Sequence, residues 1–296
     1  MKQFANTTEM IRRLKFIFVA LFFVSTAQAQ QLNFELIANS GETYSQPHDI
    51  VLSPDGSLLF IADNGNHRIV VLDAQTLKQI NVFGDGEVSE PHDVVFDDQG
   101  RLLVADTGNS RIAIYEMNGT SGKLVDSLSG SIRRPEGVAV HTDGRVFATG
   151  AGSGNLVIYQ DGEEIAQLDG FSSPHDVEFD LAGNIWIADA NNNRMVKLNK
   201  SLEITSTLAG APYDFNGPRY IDFDQQGRMY VADKYTHSIK IIAADGTLIQ
   251  VLGGPDSGKG EGVFDRPEGV EINGDLIWFS DTYNDRIVLY RMSMVD

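Results

Sequence analysis

One motif recurs six times in this chain, and its spacing leaves few folds open. Aligned on proline, the copies begin Pro47-His48-Asp49, Pro91-His92-Asp93, Pro135-Glu136-Gly137, Pro174-His175-Asp176, Pro218-Arg219-Tyr220 and Pro267-Glu268-Gly269. The prolines step by 44, 44, 39, 44 and 49 residues. That is the period of a propeller blade, a four-stranded unit that buries its faces only by stacking on neighbours. In the first copy a short alternating stretch at 49–52 leads to a turn at Asp55-Gly56. The turn recurs as Gln99-Gly100, Asp143-Gly144, Ala182-Gly183, Gln226-Gly227 and Gly274-Asp275. A nearly all-apolar run follows, at 58–62 or 185–188, and then a third stretch at 68–72. Apolar runs this short fit strands covered on both faces. Fourth strands are expected at 78–83, 123–128, 164–168, 203–208 and 247–252, and no stretch has a useful helical period.

The sixth copy has no fourth strand before Asp296, but a matching pattern stands at 33–38. The N-terminal strand is therefore expected to pair into the last blade and close the ring, which removes the exposed edge of an open array. The expected fold is all-β, a single six-bladed β-propeller over residues 30–296.

The first 29 residues read differently. Arg12, Arg13 and Lys15 precede a nine-residue apolar run at 16–24, and Ala27-Gln28-Ala29 supplies a small-residue cleavage site. This is the pattern of a secretory signal peptide, with an apolar run too short to span a bilayer. Either Met1 or Met10 serves as its start. The expected destination is the periplasm or the medium, with no membrane attachment after cleavage; no Cys follows the run to carry a lipid. The segment holds four Lys or Arg and one Glu, a net of +3, so cleavage takes the formal charge from −18 to −21. So acidic a chain argues against nucleic-acid partners, whose phosphates demand a basic face. The absence of Cys removes disulfides, thiolate metal sites and cysteine nucleophiles together.

Two repeated positions carry charge. Asp63, Asp106, Asp189, Asp233 and Asp281 end the second strands, and Arg68, Arg111, Arg194 and Arg286 stand five residues on. Their simplest use is one ion pair per blade. Blade three has Gly150 and Asn155 instead, and blade five has Ser238 in place of Arg, so looser loops are expected there. The residue after the proline enters the innermost strand and should face the channel. Around the ring these residues are His48, His92, Glu136, His175, Arg219 and Glu268, which use half of the six histidines. One reading is a polar, water-filled mouth without chemistry. The other is a three-ligand catalytic metal with an open position. His92, His175 and Glu268, on alternate blades, form the better trio, with His48 as a substitute for Glu268.

The pattern P-x-G/D-V-x-F-D-x-x-G-x-I-x-V-A-D-x-x-N-x-R-I resembles the NHL repeat, over about residues 33–292. The stretch from Pro47-His48-Asp49 through Asp55-Gly56 to Ala62-Asp63 is similar to the histidine-bearing blades of peptidyl-α-hydroxyglycine α-amidating lyases. Those are secreted six-bladed propellers that release glyoxylate from a hydroxyglycine-extended peptide. The resemblance implies a zinc ion on His48, His92 and His175 and a structural calcium near Asp49, Asp93 or Asp176. It implies Tyr283, in Ser280-Asp281-Thr282-Tyr283, as the site tyrosine, and Arg219 as the group that holds a substrate carboxylate. Glu136 completes the expected catalytic set. Tyr235 and Tyr283 lie in loops between second and third strands, expected near the opposite blade end or the rim. The expected partner is a small molecule or peptide at the channel of a monomer. A non-catalytic platform for protein, peptide or glycan is the alternative, and a calcium lactonase-like hydrolase ranks below it.

Overall fold

The computed structural model describes residues 31–295; the signal-peptide expectation for 1–29 lies outside them. Six four-stranded antiparallel sheets make up the chain, and five use consecutive strands. The first blade runs Pro47–Leu52, Leu58–Asp63, Arg68–Asp73 and Gln79–Phe83 from axis to rim. In the sixth, Val270–Asn273, Leu276–Asp281 and Arg286–Met294 are completed by the N-terminal strand Leu32–Asn39. That strand pairs antiparallel from Leu32 against Met294 to Asn39 against Val288, so the ring closes as the sequence implies.

The apolar second strands follow from what lies on each side. Successive side chains point to opposite faces. In the first blade Leu59 and Ile61 pack toward blade six, while Phe60 and Ala62 pack toward blade two. One apolar cluster fills each of the six interfaces between adjacent blades. Burying each Leu, Ile or Phe contributes about 1.5–3 kcal/mol. Helical structure among the described residues is limited to five three-residue 3₁₀ turns after the second strands.

The repeated aspartates do more than pair. Asp63, Asp106, Asp189 and Asp281 accept from the Nε of Arg68, Arg111, Arg194 and Arg286 at 2.6–2.8 Å. Their other oxygen accepts a backbone N–H from the loop before the proline, as from Ser45 at 2.8 Å and Ser89 at 2.7 Å. Blade five departs from expectation: Lys240 reaches Asp233 at 2.5 Å from the third strand and replaces the missing arginine. Blade three has no such pair, and Ser153 donates to Asn155 instead at 2.6 Å.

A register shift after the proline positions the site in blades one to five. Pro47 pairs with Asp63 and Ile50 with Ile61, so His48 and Asp49 together face one partner residue. Blades two, four and five shift in the same place. Such a bulge re-aims side chains that strict alternation would separate. It gives the channel two successive tiers from consecutive residues.

Candidate functional site

The upper tier is the ring of post-proline residues. His48, His92, Glu136, His175, Arg219 and Glu268 are all buried, Glu268 completely. The imidazole centroids of His48 and His92 lie 4.3 Å apart, those of His92 and His175 5.7 Å, and those of His48 and His175 6.5 Å. The six side chains converge, but not in the expected trio. Glu268 Oε2 lies 3.3 Å from His48 Nε2 and 3.2 Å from His175 Nε2. Glu136 instead faces His92 Nε2 at 3.9 Å and the Nδ1 of His175. The better-placed set is thus His48, His175 and Glu268, because His92 leans toward blade three.

A backbone carbonyl fixes the tautomer of His48, whose Nδ1 is 2.8 Å from the carbonyl of Gln46. A carbonyl only accepts, so that Nδ1 carries the proton and Nε2 of the neutral ring presents its lone pair to the axis. His92 Nδ1 lies between an acceptor, the Glu90 carbonyl at 2.9 Å, and a donor, the Asn64 amide nitrogen at 3.1 Å. Burial lowers the His48 pKa, and burial together with the neighbouring His48 lowers that of His92 to about 3. Burial alone would raise the two glutamates. Against it, His175, His92 and Arg219 bring Glu136 down to about 2, and His48, His175, Lys234 and Arg219 hold Glu268 well below the usual carboxylate range. A neutral His48 beside an ionised Glu268 sets two acceptors against each other, an arrangement that calls for a proton or cation between them. His175 has a carboxylate at each ring nitrogen and can donate to both only when protonated.

Lys234 is the group that the sequence reading missed. In blades one, two and six the residue after the second-strand aspartate staples the next blade: Asn64 donates to Pro91 O, Thr107 to Pro135 O and Thr282 to Pro47 O. Blade five places a lysine there. Its Nζ lies 2.5 Å from Glu268 Oε1, close in charge although poorly directed as a hydrogen bond. It also lies 5.1 Å over the Tyr283 ring and 5.8 Å over that of Tyr235. Both tyrosines, partly exposed, therefore stand at the same mouth as the ring and not at the opposite blade end. A charged residue at the staple position was the available signal.

The lower tier explains the alternation of Asp and Gly after the ring residue. Asp49, Asp93 and Asp176 occupy it in blades one, two and four; Gly137 and Gly269 occupy it in blades three and six. A Cβ on Gly269 would come within 2.5 Å of the His48 carbonyl, and one on Gly137 within 2.7 Å of that of His175. Blade five supplies Tyr220, whose hydroxyl lies 2.9 Å from the carbonyls of both His92 and Glu136. Its ring packs 5.2 Å from that of His175. Tyr220 thus spans the axis and floors the ring.

Beneath it, a cavity of about 60 Å³ is lined by Asp49, Asp93, Asp176, Glu178, Asp222 and Glu271. Four of these acids staple neighbouring blades. Asp93 accepts from Val138 N at 2.5 Å, Asp176 from Ile221 N at 2.8 Å, Asp222 from Ile272 N at 2.7 Å and Glu271 from Leu52 N at 3.1 Å. Burial and mutual repulsion raise the pKa values of Asp49, Asp176 and Asp222 well above normal. Burial lifts Asp93 to about 6, Glu178 to about 7 and Glu271 to about 8.

The donor chemistry of the ring fits a metal in part. Donors around a tetrahedral zinc stand about 3.3 Å apart at ordinary bond lengths, which the two imidazole–Glu268 separations match. Among the described residues, however, no three His, Asp or Glu side chains are already arranged to hold a metal ion.

Comparison with known proteins bears on the fold. The NHL repeat model matches residues 44–72 and 89–115. The chain carries NHL repeats. It is 33% identical over 102 residues to NHL repeat-containing protein 2 of Gallus gallus, a match spanning 33% of this chain and 13% of that protein. Virginiamycin B lyase of Staphylococcus aureus, solved with quinupristin, superposes with a TM-score of 0.63 at 13% identity, over 88% of this chain and 99% of its own. An auxiliary nutrient binding protein of Bacteroides thetaiotaomicron gives 0.70 at 13% identity, over 89% and 77%. At such identities these two likenesses concern the fold.

Proposed function

We propose that this propeller is an exported metal-dependent lyase that works at the axial ring, on a small molecule or peptide. One observation carries the reading: three inward-facing imidazoles share a buried space with two carboxylates and two cations, above Tyr220. His48, His175 and Glu268 would hold the ion, and His92 would be its further imidazole neighbour. A bound divalent metal, zinc first among the choices, supplies Lewis acidity to an oxygen of the substrate. The protein does the rest. His92, outside that set with its Nε2 facing Glu136 at 3.9 Å, is placed to carry a proton to or from the reacting group, while Glu136 holds His175 by its Nδ1. The tyrosines Tyr235 and Tyr283 border the entrance. The amidating-lyase reaction remains the specific form of this proposal, with the virginiamycin B lyase fold as a second precedent for lyase chemistry on a propeller. Calcium would belong to the lower tier at Asp49, Asp93 and Asp176, where backbone N–H groups already occupy oxygens of Asp93 and Asp176.

The alternative is a non-catalytic platform in the periplasm. What favours it is that the ring compensates its own charge, with Glu136 against His175 and Glu268 against Lys234 and Arg219. A lactonase-like hydrolase would want acids rather than imidazoles round the mouth, and here three histidines share the ring with Glu136 and Glu268 while the other axial acids lie below Tyr220. Elemental analysis of the purified mature protein separates the readings. The lyase predicts one divalent ion per chain, lost in His175→Ala and reduced in His92→Ala. A protein that binds no divalent ion, with or without these substitutions, is not this enzyme.

A further inference from the structure

At the ends of blades four and five away from the ring, a groove of about 490 Å³ opens where their shared apolar cluster runs out. Its walls are Trp186, Leu208, Tyr213, Phe223, Met229 and Ile242. The corresponding groove between blades two and three is different in character, with five aspartates in its lining, among them Asp126 and Asp161. By strand register, Ser206 stands where that groove has Asp126, and Trp186 where it has Leu103. Ala244 takes the place of Asp161. Carboxylates have thus given way to small uncharged residues and an indole. The aromatic wall is preformed. Tyr213 donates its hydroxyl to the Gly246 carbonyl at 2.5 Å and stacks on Phe215 with ring centroids 5.6 Å apart.

A groove of this size and lining suits an apolar body of one or two rings. Charge decides the head group. Three charged residues line the groove: Asp180, Lys197 and Asp245. Lys197 Nζ lies 2.9 Å from Asp180 and 5.4 Å over the Trp186 ring, so this cation is spent within the wall. Burial would raise Asp180, but Lys197 and Asn184 bring it down to about 2, and the pair stays ionised and cancels. Asp245 is left over. It accepts from Thr247 N at 2.9 Å, which holds its pKa below the ordinary value, and it pairs with no cation among the described residues. The groove therefore carries one surplus negative charge, on a chain of −18 that draws cations toward it. We propose that this groove is a second binding site, for a small organic cation in which an ammonium group is joined to an apolar, ring-bearing body. The ring lies among Trp186, Tyr213 and Phe223, and the ammonium stands against Asp245. The inference is independent of the axial ring and of any metal held there.

The test uses the full mature chain after chelation, with three probes that differ only in head group: phenylbutylamine, phenylbutanol and phenylbutyrate. Calorimetry gives the affinity. Indole emission gives the place, because Trp278, the other of the two tryptophans, is 2% exposed in the interface between blades six and one. The amine should bind one-to-one with a shift in emission, about threefold or more tighter than the alcohol, and the carboxylate should bind weakest. Asp245→Asn should weaken the amine by about three- to fivefold and leave the alcohol unchanged. Trp186→Phe should abolish the emission shift. Asp55→Asn, at an exposed turn of blade one, should bind the amine as the parent does. No saturation by the amine up to about 10 mM, binding without the emission shift, alcohol binding as tight as amine binding, or an unchanged amine affinity in Asp245→Asn overturns the proposal. Asp245 is exposed in a turn, so its variant decides the matter if the Trp186 variant does not fold.

Discussion

Lys234 decides the chemistry of the ring at the scale of single residues. A lysine in a surface loop is ordinary in sequence, and nothing in its own neighbourhood marks it. Its role depends on a glutamate 34 positions later, in the next blade. His48, His92 and His175 were legible because they repeat at one blade position; Lys234 was not, because it is the exception at another. Its ammonium and a divalent ion would contend for the same carboxylate. Lys234→Gln is therefore expected to tighten zinc binding, by about tenfold for the loss of one competing charge in a partly buried site. Competition with a chromogenic chelator reads that constant directly. Weaker zinc binding in the variant would mean that the lysine supports the metal site rather than opposing it.

Elements were read more easily than the tiers they create. The period fixed six blades, and the missing fourth strand of the last pointed to the N-terminal strand that supplies it. What alternation could not reveal is the bulge after the proline in blades one to five. Strict period two would send His48 and Asp49 to opposite faces, and the register shift sends both to the channel. Hence the lower tier, and with it Tyr220, stayed hidden, and Glu178, Asp222 and Glu271 went unremarked. The glycines that share that tier are steric requirements. Gly269 needs no left-handed backbone, so its constraint is contact alone: a methyl group there would press on the His48 carbonyl at 2.5 Å. Gly269→Ala is expected to cost about 1–3 kcal/mol through forced backbone shifts. Urea unfolding of the two proteins measures it, and an alanine variant as stable as its parent would show that the inner strands have slack.

Across the whole molecule, the axis is where opposite titrations meet. Asp93, Glu178 and Glu271 keep their protons in the folded protein to about pH 6, 7 and 8, because burial disfavours their charged forms. Unfolded, they release them near pH 4. Raised carboxylate values of this kind give stability that is complete below about pH 4 and lost as pH rises through the folded values. His48 and His92 act the other way, since burial lowers both. Their contribution is complete above about pH 6.5 and is lost in acid. Between pH 6.5 and 8 the histidine contribution no longer changes, and the slope belongs to the carboxylates. The metal-free protein should therefore melt at a lower temperature at pH 8 than at pH 6.5. Glu271→Gln isolates the cause. Glutamine keeps an oxygen for the Leu52 N–H and removes the proton. Glu271 retains some exposure to the channel, which reduces its share to roughly 1 kcal/mol over that interval, or about 2–4 °C in a chain this size. The variant should show a shallower fall by that amount, although it bears almost the same surface charge. Equal slopes in the two proteins would assign the alkaline loss to general charge repulsion and not to the acids under Tyr220.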